Sequence, residues 1–131
     1  RPATAQEADT LKITEGTLVV HIERTRFADN EPIAVLTNLI PADIAPTMQE
    51  LESASLYDLM RERGVTLASA RQIIGARSAT TKEAKLLSEH RGAALLTSQR
   101  TTYDPSGRIV ECGDHIYRAS RYSFEASLFA Q

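Results

Sequence analysis

The chain has 131 residues, which suits one domain and leaves little room for two. Hydrophobic residues make up 42% and charged residues 24%, a globular balance that excludes extended disorder. The net charge of -2 argues against a segment that grips DNA by itself, because phosphate neutralisation calls for a basic surface. No apolar run approaches the roughly 18 residues needed to cross a bilayer, and no signal-like segment opens the sequence. The expectation is a soluble protein with no membrane partner. Cys112 is the sole cysteine, which rules out an intrachain disulfide and a Cys-rich zinc site and fits a reducing, cytoplasmic setting.

In chain order, residues 1–11 predict a short helix, with Pro2 in its first turn and Thr4 and Glu7 as a capping box before Ala8 and Leu11. The β-branched, alternating run from Thr17 to Arg26 predicts a strand. Asp29-Asn30-Glu31-Pro32 supplies turn chemistry, and Ile33–Ile40 predicts the returning strand of a hairpin. A connection through Pro41 and Pro46 has at most one helical turn. Ser55 then reads as the N-cap of a helix over Leu56–Arg63 that ends at Gly64. Val65–Arg77 predicts a third strand, bent or bulged at Gly75. Thr80 and Glu83 predict a capped helix over roughly 80–90. Ala93–Tyr103 and Arg108–Tyr117 predict a hairpin around Asp104-Pro105-Ser106-Gly107, and Tyr122–Phe129 a last short strand. Hairpins outnumber crossovers, so the expected class is α+β with a mainly antiparallel sheet.

The motifs of common enzymes are missing: no phosphate-cradling glycine loop, no GxSxG elbow and no HExxH. His21, His90 and His115 lack metal-ligand spacing, and no metal, cofactor or catalytic residue is expected. Cys112 beside Glu111 could pass for a nucleophile. Alternation places it with Val110 and Ile116, as a buried small hydrophobe. Arg24 and Arg26 share one strand face with Val20 and Ile22 and could meet a carboxylate or phosphate with forked hydrogen bonds. Equally, they could be solvated groups near a strand end. Glu111, His115 and Tyr117 share a polar strand face, which becomes a binding surface only if something concave covers it. Ser55 and Tyr57 open a helix whose free N–H groups suit an anion, although a plain N-cap explains Ser55 without one.

Several of these segments resemble a known family. Val20-His-Ile-Glu-Arg-Thr-Arg26 with Asp29-Asn-Glu-Pro-Ile33 is similar to the opening "R-x-R … D-G-x-P" hairpin of UTRA domains. Ser55-Leu-Tyr-Asp-Leu59 with Gly64 resembles their "SLY-x-L … G" helix. Tyr103-Asp-Pro-Ser-Gly107, Val110-Glu111 and Tyr117-Arg-Ala-Ser-Arg-Tyr-Ser-Phe124 resemble the terminal "YD-x-x-G-x-x-VE … YR-x-x-RY-x-F" signature, at matching spacings. The resemblance runs over essentially the whole chain. It implies the effector-binding domain of a GntR-family (HutC-type) bacterial transcription regulator, with a chorismate-lyase-like fold.

The same resemblance implies a homodimer, a small-molecule effector, and operator DNA bound only through an N-terminal winged helix-turn-helix domain outside this sequence. Carried over position by position, the implied effector-binding residues are Arg24, Arg26, Ser55, Tyr57, Glu111 and Tyr117. Sugar-phosphate-binding members commonly carry a glutamate and a tyrosine where this chain has Leu36 and Leu39. The effector is therefore expected to be a small anionic metabolite, such as a phosphosugar or a carboxylate, met by a more apolar pocket wall. Two other readings fit the same residues: a chorismate-lyase-like enzyme with Glu111 as acid or base, and a purely structural dimerisation module.

Overall fold

The computed structural model describes residues 1–123. Helix α1 (Ala5–Leu11) starts on Thr4, whose side chain accepts from the Glu7 amide while the Glu7 carboxylate accepts from the Thr4 amide. That box aims Ala8 and Leu11 at the core. Pro2 stays outside the helix; it bridges Leu18 instead and ties the N-terminus to the sheet. Strands β1 (Val19–Ala28) and β2 (Glu31–Pro41) form the expected hairpin. Asp29 and Asn30 both take positive φ, as a tight two-residue hairpin turn demands.

Beyond β2 come a 3-10 turn (Ala42–Ile44) and the one-turn helix α2 (Met48–Leu51), capped by Thr47 and Glu50. Helix α3 (Leu56–Glu62) starts on Ser55, and α4 (Thr81–Leu86) starts on the Thr80–Glu83 box and is shorter than expected. Strand β3 (Ser69–Ser78) begins later than the alternation suggested, because Val65 and Leu67 turn aside to pack against the α3 cluster. Gly75 makes no bulge, since pairing with β4 runs unbroken past it. It gives close approach instead: a Cβ there would lie 3.1 Å from Thr97 Oγ1. Strands β4 (Ala94–Tyr103) and β5 (Ile109–Arg118) close the described fold. The strand expected over Tyr122–Phe129 falls, from residue 124 on, outside the described residues.

The five strands form one antiparallel sheet in the order β1-β2-β5-β4-β3, so the architecture is α+β as the hairpins implied. One irregularity decides what faces where. Tyr103 pairs with Ile109 but Thr102 pairs with Glu111, so Val110 is an extra residue in β5. Val110 therefore turns to the side of Ile22, Ile40, Leu56 and Met60, while Cys112 packs with Leu39 and Ile109 on the other. The simple alternation that grouped Cys112 with Val110 fails at this bulge.

On one sheet face, α1 covers a cluster of Leu11, Val19, Leu39 and Ile109, and α4 covers a second one of Val35, Leu87, Leu95 and Ile116. On the opposite face, among the described residues, only one end is covered, where Leu56 and Met60 of α3 seal Ile22, Ile40 and Val110. The rest of that face carries polar side chains.

Candidate functional site

Directly opposed residues of antiparallel strands point to one face, so the register lays out the half-covered face in rows. One row, from β1 to β3, reads Arg26, Ala34, Tyr117, Leu96, Ala76. The next reads Arg24, Leu36, His115, Ser98, Ile74, and the third Ile22, Asn38, Gly113, Arg100, Gln72. Beneath them, Glu111 pairs with Thr102 under the edge of α3. Four of the six expected site residues, Arg24, Arg26, Glu111 and Tyr117, thus share this face, and Tyr57 reaches it from α3.

Glu111 is the floor of the arrangement. It is wholly buried, and its carboxylate accepts from Asn38 Nδ2 at 2.7 Å, from the Thr102 hydroxyl at 2.9 Å and from the Tyr57 hydroxyl at 3.3 Å. A buried carboxylate is tolerable only with such donors. Gly113 makes room for it: a Cβ there would lie 2.9 Å from Glu111 Oε1 and 3.1 Å from His115 Nε2. Burial, and then the neighbouring Glu111 charge, push the Tyr57 hydroxyl pKa up, so Tyr57 stays a donor.

Two guanidinium groups flank this floor. Arg24 Nη2 lies 3.4 Å from Asn38 Oδ1, and Arg100 lies over the Tyr57 ring at 5.2 Å from its centroid. Among the described residues, the buried side-chain nitrogens without any hydrogen-bond partner are Arg24 Nε, Arg100 Nε and His115 Nε2. All three belong to this face, and an unpartnered buried polar group costs about 1–3 kcal/mol. His115 Nδ1 meets the Tyr117 hydroxyl at 3.3 Å, and its pKa is lowered by burial and by Arg24 and Arg100, against the pull of Asp114. Tyr117 is raised chiefly by burial, with exposed Arg26 acting the other way, and its ring stacks on Tyr122 at 4.3 Å.

A cavity of about 200 Å³ beside this cluster is lined by Tyr57, Arg61, Ser69, Arg100 and Thr102. A smaller one, of about 90 Å³, is lined by Gln72, Ile74, Leu96, Ser98, Tyr117 and Tyr122. Larger hollows lie elsewhere: about 560 Å³ beside Ala28, Ile33 and Arg121, and about 420 Å³ between α1 and the other sheet face. Arg100 and Gly113 also line the second of these, but neither is lined by Arg24 or His115.

Two residues lie away from this cluster. Ser55 is exposed, and its hydroxyl accepts from the Asp58 amide at 3.3 Å as an ordinary cap of a seven-residue helix. Leu39 belongs to the α1 cluster on the opposite face, so only Leu36 borders the arginines. The sequence reading missed Asn38, Arg100 and Thr102, and it saw His115 without giving it a role. The signal was there in part: Arg100 and Thr102 stand two apart in a strand, as Arg24 and Arg26 do.

The UTRA domain family model matches residues 1–123. A curated relative, the HTH-type transcriptional repressor NagR of Bacillus subtilis, is 34% identical over 105 residues, covering 79% of this chain and 43% of that protein. The chain thus spans roughly half or less of the length of such relatives, the shares being 43% for this one and 37% for an Escherichia coli regulator, PhnF. A solved structure from Streptomyces coelicolor, described as a candidate transcriptional regulator, superposes with a TM-score of 0.93 at 50% identity, covering 99% of this chain and 87% of that one. The ligand-binding domain of a candidate GntR-family regulator from Bordetella bronchiseptica superposes with a TM-score of 0.87 at 27% identity, covering 98% and 84%.

Proposed function

This chain belongs to the UTRA domain family, and on that premise we propose that it is the effector-sensing and dimerisation domain of a GntR/HutC-type transcription regulator. The observation that carries the site is the half-covered sheet face, where Arg24 and Arg100 flank the buried Glu111 and keep nitrogens unpartnered. A small anion entering there supplies acceptors to groups that otherwise have none. In this reading Arg24 and Arg26 hold the anion, and Tyr57 and Tyr117 wall the pocket. Glu111 acts from below by fixing Asn38, Thr102 and Tyr57. Ser55 contributes by setting the start of α3.

The effector's differential affinity for two arrangements of a homodimer then moves DNA-binding domains joined to it. The printed names of its relatives support regulation rather than catalysis. So does the floor: a carboxylate sealed beneath three donors is badly placed as an acid or base. Among the described residues no helix is long and apolar enough to cross a membrane; the cytoplasm is the setting that belongs to the proposed role.

A thermal-shift screen against phosphosugars, carboxylates and phosphonates tests the reading, since a ligand that binds only the native state raises the midpoint. At least one anion class should stabilise the chain, and Arg24→Ala should weaken that ligand about tenfold or more, the loss of a charge-assisted hydrogen bond. No stabilisation by any class would leave a structural module, and turnover of chorismate would make the chain an enzyme. Sedimentation at micromolar concentration checks the dimer.

A further inference from the structure

We propose that the end of this face away from α3 is an apolar subsite for a short hydrocarbon group of the effector, with Tyr122 as its outer wall and Glu89 as the residue that positions Tyr122. The inference rests on the sensor reading above and adds a part of the ligand that the arginines do not touch.

The two halves of the face ask different things of a ligand. Around Arg24, Arg100 and His115, buried nitrogens lack partners among the described residues. Around Tyr117, Leu96 and Ile74 the polar groups already satisfy one another. The Gln72 amide donates to the Ser98 hydroxyl at 2.9 Å, and the Tyr117 hydroxyl is turned to His115 Nδ1 at 3.3 Å. That leaves Ile74, Leu96 and the rings of Tyr117 and Tyr122 facing the cavity of about 90 Å³. Ile74 is 42% exposed and Tyr122 38%, so apolar surface in contact with water stands on both sides of it. A polar group entering there would lose its water and find no free partner, whereas a hydrocarbon group loses nothing. The cavity has room for about three groups the size of a water molecule, so the group is short.

The approach is apolar as well. From Arg26 the sheet row runs through Ala34 to Tyr117 and Leu96, and Leu36 lies beside it in the row of Arg24. A head group held by the two β1 arginines over Ala34 and Leu36 is about 10 Å, two strand spacings, from β4. An alkyl chain crosses that floor without leaving a polar group unpaired.

Tyr122 reaches Tyr117 through a firmly pinned chain reversal. The Arg121 amide donates to the Arg118 carbonyl at 3.0 Å, and the Arg121 side chain pairs with Glu31. Arg118, only 9% exposed, donates through Nε and Nη2 to one Glu89 oxygen at 3.0 and 2.6 Å, and through Nη1 to the Pro32 carbonyl at 3.0 Å. The Ser120 hydroxyl donates to the same Glu89 oxygen at 3.1 Å. One carboxylate therefore holds Arg118 and Ser120, the approach to Tyr122, whose ring stacks on Tyr117 at 4.3 Å and 23°.

Alkyl sulfonates test this, because one head group carries chains of different length. In calorimetry on the whole chain, hexanesulfonate should bind about tenfold or more tighter than methanesulfonate, each buried methylene contributing about fourfold. Tyr122→Ala and Ile74→Thr should lose most of that gain, and Tyr122→Phe should keep it. Glu89→Gln should also lose it, while affinity for inorganic sulfate, which has no chain, falls less. The protein has four tyrosines and no tryptophan, so near-ultraviolet circular dichroism reports the stacked pair, and Glu89→Gln should diminish that signal. Sulfonates that need Arg24 but bind equally at every chain length, or a gain indifferent to Tyr122→Ala, overturn the subsite and leave the sensor reading standing. A gain that survives Glu89→Gln overturns the positioning role. No binding of sulfate or of any sulfonate, or binding indifferent to Arg24→Ala, overturns both the subsite and the sensor reading.

Discussion

Gly113 is the residue on which the polar cluster turns. The space that a side chain would fill is occupied by a glutamate oxygen at 2.9 Å and an imidazole nitrogen at 3.1 Å. Both belong to groups pinned on other sides, Glu111 by three donors and His115 by Tyr117. Gly113→Ala should therefore destabilise by about 1–3 kcal/mol as an overpacking change, read as a lower urea midpoint. An unchanged midpoint would mean that the carboxylate moves freely, against its burial. Glu111→Gln keeps the volume but turns one acceptor into a donor facing Asn38, Thr102 or Tyr57. The cost should be about 1–3 kcal/mol, and the two arginines lose their buried counter-charge.

At the scale of elements, the local capping rules were the most legible part of the sequence. The boxes at Thr4 and Thr80 and the cap at Ser55 all appear where Thr-x-x-Glu and Ser spacing put them. Each is decided within four residues, so no tertiary knowledge is needed. Thr80→Ala should cost about 1 kcal/mol. Glu83, held at about 2 rather than 4.5 by Arg77 and by the Thr80 amide, supplies stability that is complete above pH 4.5 and is lost as pH falls towards 2. The midpoint of Glu83→Gln should accordingly change less over that acid interval than the wild type's.

What the sequence hid is non-local. The Val110 bulge depends on how Thr102 pairs across the hairpin, and it puts Ile109 and Val110 on the faces opposite to those that alternation from Cys112 assigns. Leu39 looked like a pocket position until the register put it on the α1 side. Arg100 drew no notice, because only the order β1-β2-β5-β4-β3 sets β4 on the same sheet as β1 across two intervening strands. The resemblance pointed to Arg24, Arg26, Ser55, Tyr57, Glu111 and Tyr117, of which the sheet brings Arg24, Arg26, Glu111 and Tyr117 to one face, with Tyr57 reaching it from α3. The partners that bury Glu111 and leave the arginines unpaired needed the sheet.

The whole molecule divides its labour between the two sides of one sheet. The side under α1 and α4 is packed with aliphatic residues and holds the domain together. Among the described residues the other side is closed by α3 at one end only, and it keeps charged groups whose hydrogen bonds are incomplete. Stability and recognition should then separate on mutation. Leu87 is fully buried among Val35, Leu95 and Ile116, so Leu87→Ala should cost about 2–5 kcal/mol through the cavity it leaves. Sulfate affinity, measured where that variant is still folded, should not change. Arg100→Gln should do the reverse: removing an unpartnered buried donor offsets the lost cation–π contact with Tyr57, and stability should stay within about 1 kcal/mol. Its anion affinity should fall about tenfold or more, because a charge-assisted contact is gone. If Leu87→Ala weakened sulfate as much as Arg100→Gln does, the two faces would be coupled through the strands and the division drawn here would be wrong. Strands are stiff, but each residue of β5 has one neighbour on either side of it, Cys112 towards α1 and Gly113 towards the arginines. That single backbone is the shortest route by which binding on one face can be felt on the other.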